Sequence, residues 1–254
     1  MVVLIMLHCN SCSCNQVRSK AHTTIYNHTL ATMVVEYAFA ISGFEVIEVI
    51  VDVQHCLQDL NAAVIAFKGT REHRYAYLYW KRLDINYLAY SSWIYYAYHN
   101  ATIRPGTLDA VKRAKDLYGD INIMVIGHSM GGTVASFCRF DLVIVQVLTF
   151  AQPRIGNAMF FSDYSTPNTI HINNGHEIVL HLPSYYSWFP RKIYHHFPRV
   201  AWLYNIGFVC LVYQVEKVCD GFGDGPTCSR LVTGNSLIDH LVYYGVKLLA
   251  ETWG

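Results

Sequence analysis

The sequence predicts an α/β fold with a mostly parallel central sheet covered by helices on both faces. Three observations lead to this prediction. Strand-length apolar segments alternate with helical segments, which is typical of a parallel sheet with helical crossovers. A strand, a tight turn and a helix follow one another directly between residues 121 and 138. The chain has 254 residues, 53% of them hydrophobic, and no internal repeat, which suits one large domain.

The remaining elements follow from hydrophobic periodicity and from glycine and proline positions. Helices are predicted for residues 29–40, 105–118 and 237–249, and strands for residues 45–53, 62–67, 143–150 and 169–173. Residues 75–98 are unusually aromatic and give no clear element. They would serve either as core packing or as an apolar flap over a site.

Residues 121–132 read INIMVIGHSMGG and contain the pattern G-x-S-x-G around Ser129. A strand before this pattern and a helix after it are the setting of a nucleophile elbow. The turn is strained, so Gly127 and Gly131 meet its need for residues without bulky side chains. The Ser129 hydroxyl would then stand above the sheet, with the Met130 backbone N–H and the helix N-terminus near the reacting carbonyl. The simpler interpretation is a glycine-rich turn whose serine caps the helix, but both flanks favour the elbow and therefore an α/β-hydrolase fold.

A nucleophilic serine needs a base and an orienting acid, which follow it in this fold in the order Ser, acid, His. Glu177 is modestly favoured as the acid because it follows a strand of the sheet. Asp141 belongs to the elbow helix, and Asp239 adjoins His240 directly. The other acids in range are Asp163, Glu216, Asp220 and Asp224, and the candidate bases are His181, His195, His196 and His240.

Charge and hydropathy exclude some partners. The formal net charge is +1, and the one basic cluster, at Lys112, Arg113 and Lys115, has a helical pattern typical of a solvated face. Nucleic acid is therefore not expected as a partner. No apolar run approaches the length of a membrane span, about 20 residues.

The cysteines leave the redox compartment open. Cys219 and Cys228 bracket a turn-rich loop. In a secreted protein a disulfide between them would close this loop, and in a protein that is not secreted they would be two free thiols. Cys9, Cys12 and Cys14 have a metal-like C-x-x-C-x-C spacing, but no second ligand cluster lies nearby, so a metal is not expected.

Residues 1–24 are a possible signal or leader segment, and residues 25–254 form the expected domain. The apolar run at residues 2–7 is short and has no basic residue before it. Glycosylation sequons at Asn27 and Asn100 agree with secretion. The secretory pathway is the favoured location, with the cytoplasm as the alternative.

Six stretches together resemble the class 3, or fungal-type, lipase family, and within it the plant branch. The resemblance extends from about residue 25 to the C-terminus. The stretches are YNHTLAT at 26–32, AFKGT at 66–70, GHSMGG at 127–132, TFAQPRIGN at 149–157, YHHFP at 194–198 and GNSLIDH at 234–240.

The resemblance implies a role for each site residue. His240 takes the place of the family's general base, and Glu177 the place of its triad aspartate, in EIVLHLP where the family has DIVPHLP. Thr70 and the N–H of Met130 would form the oxyanion hole. Ser129 would then attack an ester carbonyl and form an acyl-enzyme that water resolves, with no metal or organic cofactor.

The implied substrate is an acylglycerol or related lipid at a membrane or droplet surface. A phospholipase or galactolipase preference is a variant of this hypothesis, since the sequence does not separate head groups. The alternative is a lipase-like protein of weak or no activity that binds lipid or a partner.

The departures from the family pattern predict that the lid over the site and the helical framework around the sheet are reduced in this protein. Glutamate in place of aspartate requires about 1 Å of backbone adjustment. The segment after Thr70 lacks the family's Asn-Trp and is short, and SSWI at 91–94 stands where relatives have His-x-Gly-Phe. The junction before the strand at 143–150 is nearly loopless, whereas such connections usually take about 2–6 residues.

Overall fold

The computed structural model describes residues 2–3, 5–6, 26–40, 50–51, 62–69, 98–99, 103–142, 145–155, 168–182, 195–196, 198–208, 211–222, 228, 232, 234 and 236–248. Its α-helices are α1 (His28–Ala40), α2 (Ile103–Tyr118), α3 (Met130–Cys138) and α4 (Ile238–Leu241). Single 3₁₀ turns cover Arg139–Asp141 and Val179–His181. The strands are β1 (Val2–Val3), β2 (Ile5–Met6), β3 (Ile50–Val51), β4 (Ala62–Phe67), β5 (Asn122–His128), β6 (Val145–Phe150), β7 (Thr169–Asn174), β8 (Pro198–Phe208), β9 (Leu211–Phe222), β10 (Val242–Tyr243) and β11 (Val246–Lys247).

Seven strands form the central sheet in the order β1-β4-β5-β6-β7-β8-β9. The pairs from β4 to β8 are parallel, and β1 and β9 pair antiparallel at the two edges. Gly127 at the end of β5 lies level with Phe67 of β4 and Thr149 of β6. The carboxyl ends of the parallel strands therefore meet at one edge, and the predicted α/β fold with a mostly parallel sheet is confirmed.

Two apolar layers cover the sheet. Alternate residues of β4 enter opposite layers because successive side chains of a strand point to opposite faces. The first layer joins Ile65 and Phe67 to α2 and α3, and the second joins Val64 and Ala66 to α1. Helices thus lie on both faces, as predicted.

Most predicted elements are present with small shifts of their bounds. The helices predicted at 29–40 and 105–118 start one and two residues earlier, and the strands predicted at 62–67 and 169–173 match β4 and β7 within one residue. Of the strand predicted at 45–53, only Ile50–Val51 is described, as β3. The aromatic stretch at 75–98 lies outside the described residues except for Tyr98, whose side chain is fully buried.

The helix predicted at 237–249 is wrong. The helix there ends at Leu241, and β10 and β11 follow as an antiparallel hairpin. Its two-residue loop has positive φ at Tyr244 (51°) and Gly245 (79°). Two residues in the left-handed region form the type I′ turn that suits a tight hairpin, and a right-handed helix cannot continue through them.

The connection between α3 and β6 is longer than expected. A 3₁₀ turn covers Arg139–Asp141 and Leu142 follows it, so at least four residues separate α3 from β6. The Asp141 carboxylate is held by Arg104 at 2.9 Å and by the Tyr98 hydroxyl at 2.7 Å. The expectation of a nearly loopless junction is therefore wrong, because a 3₁₀ turn occupies it.

Cys219 and Cys228 are bonded as a disulfide, the first of the two predicted alternatives. The bridge joins β9 to the segment that follows it. Within the parts of the chain that the structure describes, no helix is long and apolar enough to cross a membrane.

Candidate active site

Ser129 stands between the end of β5 and the start of α3 with φ 56° and ψ −128°. Positive φ is costly for a residue with a side chain, so neighbouring contacts must hold it. The Ser129 N–H donates to the Phe150 carbonyl at 2.9 Å, and the Ser129 carbonyl accepts from the Gly132 N–H at 3.0 Å. The elbow is thus fixed to β6 on one side and to α3 on the other.

The two glycines that flank the serine are required by close backbone approach. A Cβ on Gly127 would overlap the backbone of Gly131, and a Cβ on Gly131 would overlap the Phe67 carbonyl. Any side chain at either position would push α3 off the sheet and move Ser129 with it. This is the packing that the G-x-S-x-G pattern predicts.

Three side chains from distant parts of the chain meet at this edge of the sheet. His240 Nε2 lies 3.1 Å from Ser129 Oγ, and His240 Nδ1 lies 2.8 Å from Glu177 Oε1. A neutral imidazole that donates from Nδ1 to the carboxylate accepts at Nε2 from the serine hydroxyl. All three side chains are at most 3% exposed.

Glu177 is held on its other oxygen as well. The Tyr243 hydroxyl donates to Oε2, and the Asn174 backbone N–H lies 3.4 Å from the same atom. Burial raises the pKa of Glu177, and these two hydrogen bonds oppose that shift. The carboxylate is consequently oriented from both sides.

His240 is fixed through its backbone and its surroundings. The His128 Nε2–H donates to the His240 carbonyl at 2.8 Å, and the two ring centroids are 4.7 Å apart. Burial lowers the pKa of His240, which keeps the imidazole neutral near pH 7. A neutral Nε2 has the lone pair that a general base requires.

The predicted oxyanion hole is only partly described. Met130 is the first residue of α3, so its N–H is one of the helix N-terminal donors without an intrahelical partner. Thr70 lies outside the described residues. Gly69 before it lies against the elbow, since a Cβ built there would be 3.0 Å from Ser129 Cβ. The role of Thr70 stays a prediction.

Several of the other acids and histidines considered for the triad bond to groups outside it. Asp141 pairs with Arg104, and the Asp239 carboxylate accepts the His176 N–H at 2.8 Å. His196 Nε2–H donates to the Leu180 carbonyl at 2.8 Å. Glu216 pairs with His28 at 2.5 Å. Over the described ranges no group of three or more metal-ligating side chains occurs, and Cys9, Cys12 and Cys14 lie outside them.

Sequence reasoning did not find His128, Asn174 and Tyr243 as parts of this site. His128 lies inside the elbow motif, but nothing in the motif indicates that its ring faces His240. Tyr243 follows His240 by three residues, and the wrongly predicted helix hid its position on β10. Asn174 directly follows the strand predicted at 169–173, which in retrospect is the signal that places it at the sheet edge.

A strained serine between a strand and a helix, at the carboxyl edge of a parallel sheet, defines the α/β-hydrolase class. Within that class the chain belongs to the class 3 lipases. The model of the family described as Lipase (class 3) matches residues 47–187, which is more than half of the chain.

Two relatives share part of this sequence. A protein named phospholipase A1-II 7 from Oryza sativa subsp. indica is 28% identical over 105 residues, 32% of this chain and 26% of its own. A secreted mono- and diacylglycerol lipase 1 from Fusarium solani is 30% identical over 144 residues, 53% of this chain and 41% of its own. The chain therefore spans less than half the length of these two relatives.

Solved lipases share the fold. The lipase from Rhizopus microsporus var. chinensis superposes with a TM-score of 0.56 at 20% identity, covering 77% of this chain and 68% of that one. The Rhizomucor miehei triacylglyceride lipase superposes with a TM-score of 0.51 at 19% identity, covering 74% and 73%. These likenesses agree with the predicted α/β-hydrolase fold.

Proposed function

We propose that this protein is a serine ester hydrolase that cleaves acyl esters of glycerolipids through an acyl-enzyme on Ser129. The observation that carries the proposal is the continuous chain of contacts from Ser129 Oγ to His240 at 3.1 Å and from His240 to Glu177 at 2.8 Å. A hydroxyl, an imidazole and a carboxylate in this order are the parts of a triad.

In the proposed reaction, Ser129 Oγ attacks the ester carbonyl carbon while His240 Nε2 takes the hydroxyl proton. Glu177 stabilises the imidazolium that forms. The N–H of Met130 and the Thr70 residue receive the oxyanion of the tetrahedral intermediate. His240 then gives its proton to the leaving alcohol, and a water molecule, deprotonated by the same nitrogen, releases the fatty acid and restores Ser129.

The substrate class follows from what the relatives have in common. The rice relative is named a phospholipase A1 and the Fusarium relative a mono- and diacylglycerol lipase. Both names specify an acyl ester of glycerol, and they differ in the head group. We infer the shared ester class for this chain, with phospholipids and acylglycerols as the two candidate substrates.

Transient contact with a membrane or lipid-droplet surface is part of the proposal. Leu237 and Ile238 are 36% and 73% exposed and directly precede Asp239 and His240. Apolar side chains exposed beside the site support an approach of the lipid surface at this edge of the sheet.

We also infer passage through the secretory pathway. The disulfide between Cys219 and Cys228 fits an oxidising compartment, and the Fusarium relative is named as secreted. Of the possible leader segment, residues 2–3 form the edge strand β1 and pair with Phe67 and Ala66 of β4. Removal of a leader would therefore leave the sheet from β4 to β9.

The substitution of glutamate for the family's aspartate is one argument for a weak or inactive protein, beside the reduced lid and helical framework. The 2.8 Å bond from His240 Nδ1 to Glu177 Oε1 argues against it, because that distance is normal for a charge-assisted hydrogen bond. The catalytic interpretation is therefore favoured over a lipase-like binding protein.

A fluorophosphonate ester probe tests the proposal. We expect the purified protein to be labelled, and Ser129→Ala and His240→Ala to lose labelling and to lower kcat on a soluble ester by at least about 10⁴-fold. Glu177→Gln should stay folded and lower kcat by about 10³- to 10⁴-fold. A folded parent that takes no label would favour the binding protein, and Glu177→Gln turnover at the parent rate would remove Glu177 from the triad.

A further inference from the structure

Asn174, the last residue of β7, contacts both of the segments that carry the partners of Ser129. Its side-chain amide donates to the Val242 carbonyl at 2.6 Å and to the Asp239 carbonyl at 3.2 Å. These two carbonyls lie on either side of His240 in the chain. The residue is 8% exposed, so both bonds are largely shielded from water.

The backbone of Asn174 contacts the acid. Its N–H lies 3.4 Å from Glu177 Oε2, and its carbonyl accepts the Glu177 N–H at 3.1 Å. One residue therefore bonds to the carboxylate through its main chain and to the His240 segment through its side chain.

The His240 segment needs such support because it is short. Helix α4 has only four residues, Ile238–Leu241, and the last four carbonyls of any helix lack intrahelical partners. The Asn174 amide donates one hydrogen bond to a carbonyl of this helix, that of Asp239, and one to a carbonyl of the strand after it, that of Val242. The Asp239 side chain adds a third link, since it accepts the His176 N–H at 2.8 Å.

We propose that Asn174 is a positioning residue that sets the distances of His240 to both Ser129 and Glu177. The proposal rests on the proposed ester hydrolysis at Ser129. Asn174 touches no reacting atom; it acts by fixing the backbone on both sides of the base. A displacement of about 1 Å in such a site lowers the rate by about 100-fold, so loss of the two side-chain bonds should act mainly on kcat.

The variant Asn174→Leu tests this inference, because it keeps the approximate size of the side chain and removes both donors. We expect kcat on a soluble short-chain ester to fall by about 10- to 100-fold while KM changes by less than about threefold. The rate of fluorophosphonate labelling should fall in parallel. If Asn174→Leu does not fold, Asn174→Asp has the same shape, cannot donate to a carbonyl, and should show the same loss of kcat.

Thr107→Val is the matched control, since it removes a buried side-chain bond, 2.8 Å to the Ile103 carbonyl in α2, away from the site. It should lower the unfolding midpoint and leave kcat within about twofold of the parent. A parent that takes no label would contradict the proposed hydrolysis itself. A labelled parent with Asn174→Leu or Asn174→Asp at the parent rate, or with a loss equal to that of Thr107→Val, would overturn the role of Asn174.

Discussion

The His240 imidazole is 1% exposed and has Ser129 on one nitrogen and the Glu177 carboxylate on the other. Burial disfavours its charged form, whereas the carboxylate favours that form. The net effect places the pKa of His240 below the usual value of 6.5. The residue that must accept a proton is therefore kept ready to do so at neutral and mildly acidic pH.

This shift predicts the acid limit of activity. Only neutral His240 acts as a base, so kcat/KM should fall as pH drops through its pKa. Because that pKa is lowered from 6.5, the midpoint of the acid limb should lie below pH 6.5, with a plateau from there to neutral pH. The measurement is kcat/KM on a soluble ester from pH 4 to 8, with far-UV circular dichroism at each pH to separate titration from unfolding. A midpoint at or above pH 6.5 in folded protein would contradict the prediction, because it would mean that the stabilisation of the imidazolium by the carboxylate outweighs the effect of burial on the pKa of His240.

The glutamate at position 177 shows how a departure from the family pattern is accommodated. The longer side chain reaches His240 with one oxygen and receives the Tyr243 hydroxyl on the other. Tyr243 and Glu177 are 66 positions apart, so no local pattern could have predicted their contact. Position after a strand favours Glu177 only modestly among seven acids, and the family resemblance is what implies its role as the triad acid.

At the level of elements, local patterns predicted the strand–turn–helix around Ser129 because each of its parts is encoded locally. Six buried residues end β5, two glycines allow the close approach of α3, and the helix follows at once. The long antiparallel pair of β8 and β9 was not predicted as such. The two strands pair with each other, and β8 also pairs with β7. In the sequence this region shows only a strand-length apolar run at residues 206–213.

The C-terminal hairpin shows the opposite case, in which turn chemistry overrides an apparent helical pattern. Apolar residues at 237–249 have helical spacing, yet Tyr244 and Gly245 adopt positive φ and reverse the chain. The turn puts Tyr243 beside Phe150, with ring centroids 5.4 Å apart, and so closes the second core layer.

Two glycine substitutions test this element. A Cβ at either Gly245 or Gly106 meets no atom within 4 Å, so both sites have room for alanine. Gly245 has φ 79°, and Gly245→Ala should therefore cost about 1–2 kcal/mol. Gly106 lies in α2, and Gly106→Ala should stabilise by about 0.5–1 kcal/mol. Guanidinium unfolding measures both, and a change of the same sign in the two variants would contradict the assigned turn.

At the scale of the whole molecule, the parallel register brings together residues that are distant in sequence. The strands β4 to β7 end at the same edge, so the Gly69 loop, the elbow and the turn before Glu177 lie side by side. The alternation of strands and helices was sufficient to predict this edge as the location of a site. It was insufficient to choose the base, because His240 reaches the edge from a segment outside the sheet.

The proposed secretory passage makes a prediction at this scale, because it would expose the Asn27 sequon to the glycosylation machinery. Asn27, which precedes α1, and His28 and Thr29, its first two residues, are all exposed. Asn27 Oδ1 accepts the Leu30 N–H at 3.1 Å as the helix N-cap, which leaves Nδ2 as the atom that would carry the sugar. A glycan at this position is therefore compatible with the cap and with the fold.

Full-length protein secreted from a eukaryotic host should carry a glycan on Asn27. Treatment with peptide N-glycosidase should lower its mass and convert Asn27 to aspartate, which peptide mass spectrometry detects. Thr29→Val should abolish this glycan while Asn27 keeps its cap, and Asn27→Asp should abolish it with equal stability, since aspartate caps helices as well as asparagine does. Asn100→Gln removes the second sequon, which lies outside the described residues, so that a glycan there is not mistaken for one on Asn27. Secreted protein with an unmodified Asn27 would contradict the prediction, and protein retained in the cytoplasm would contradict the secretory passage on which it depends.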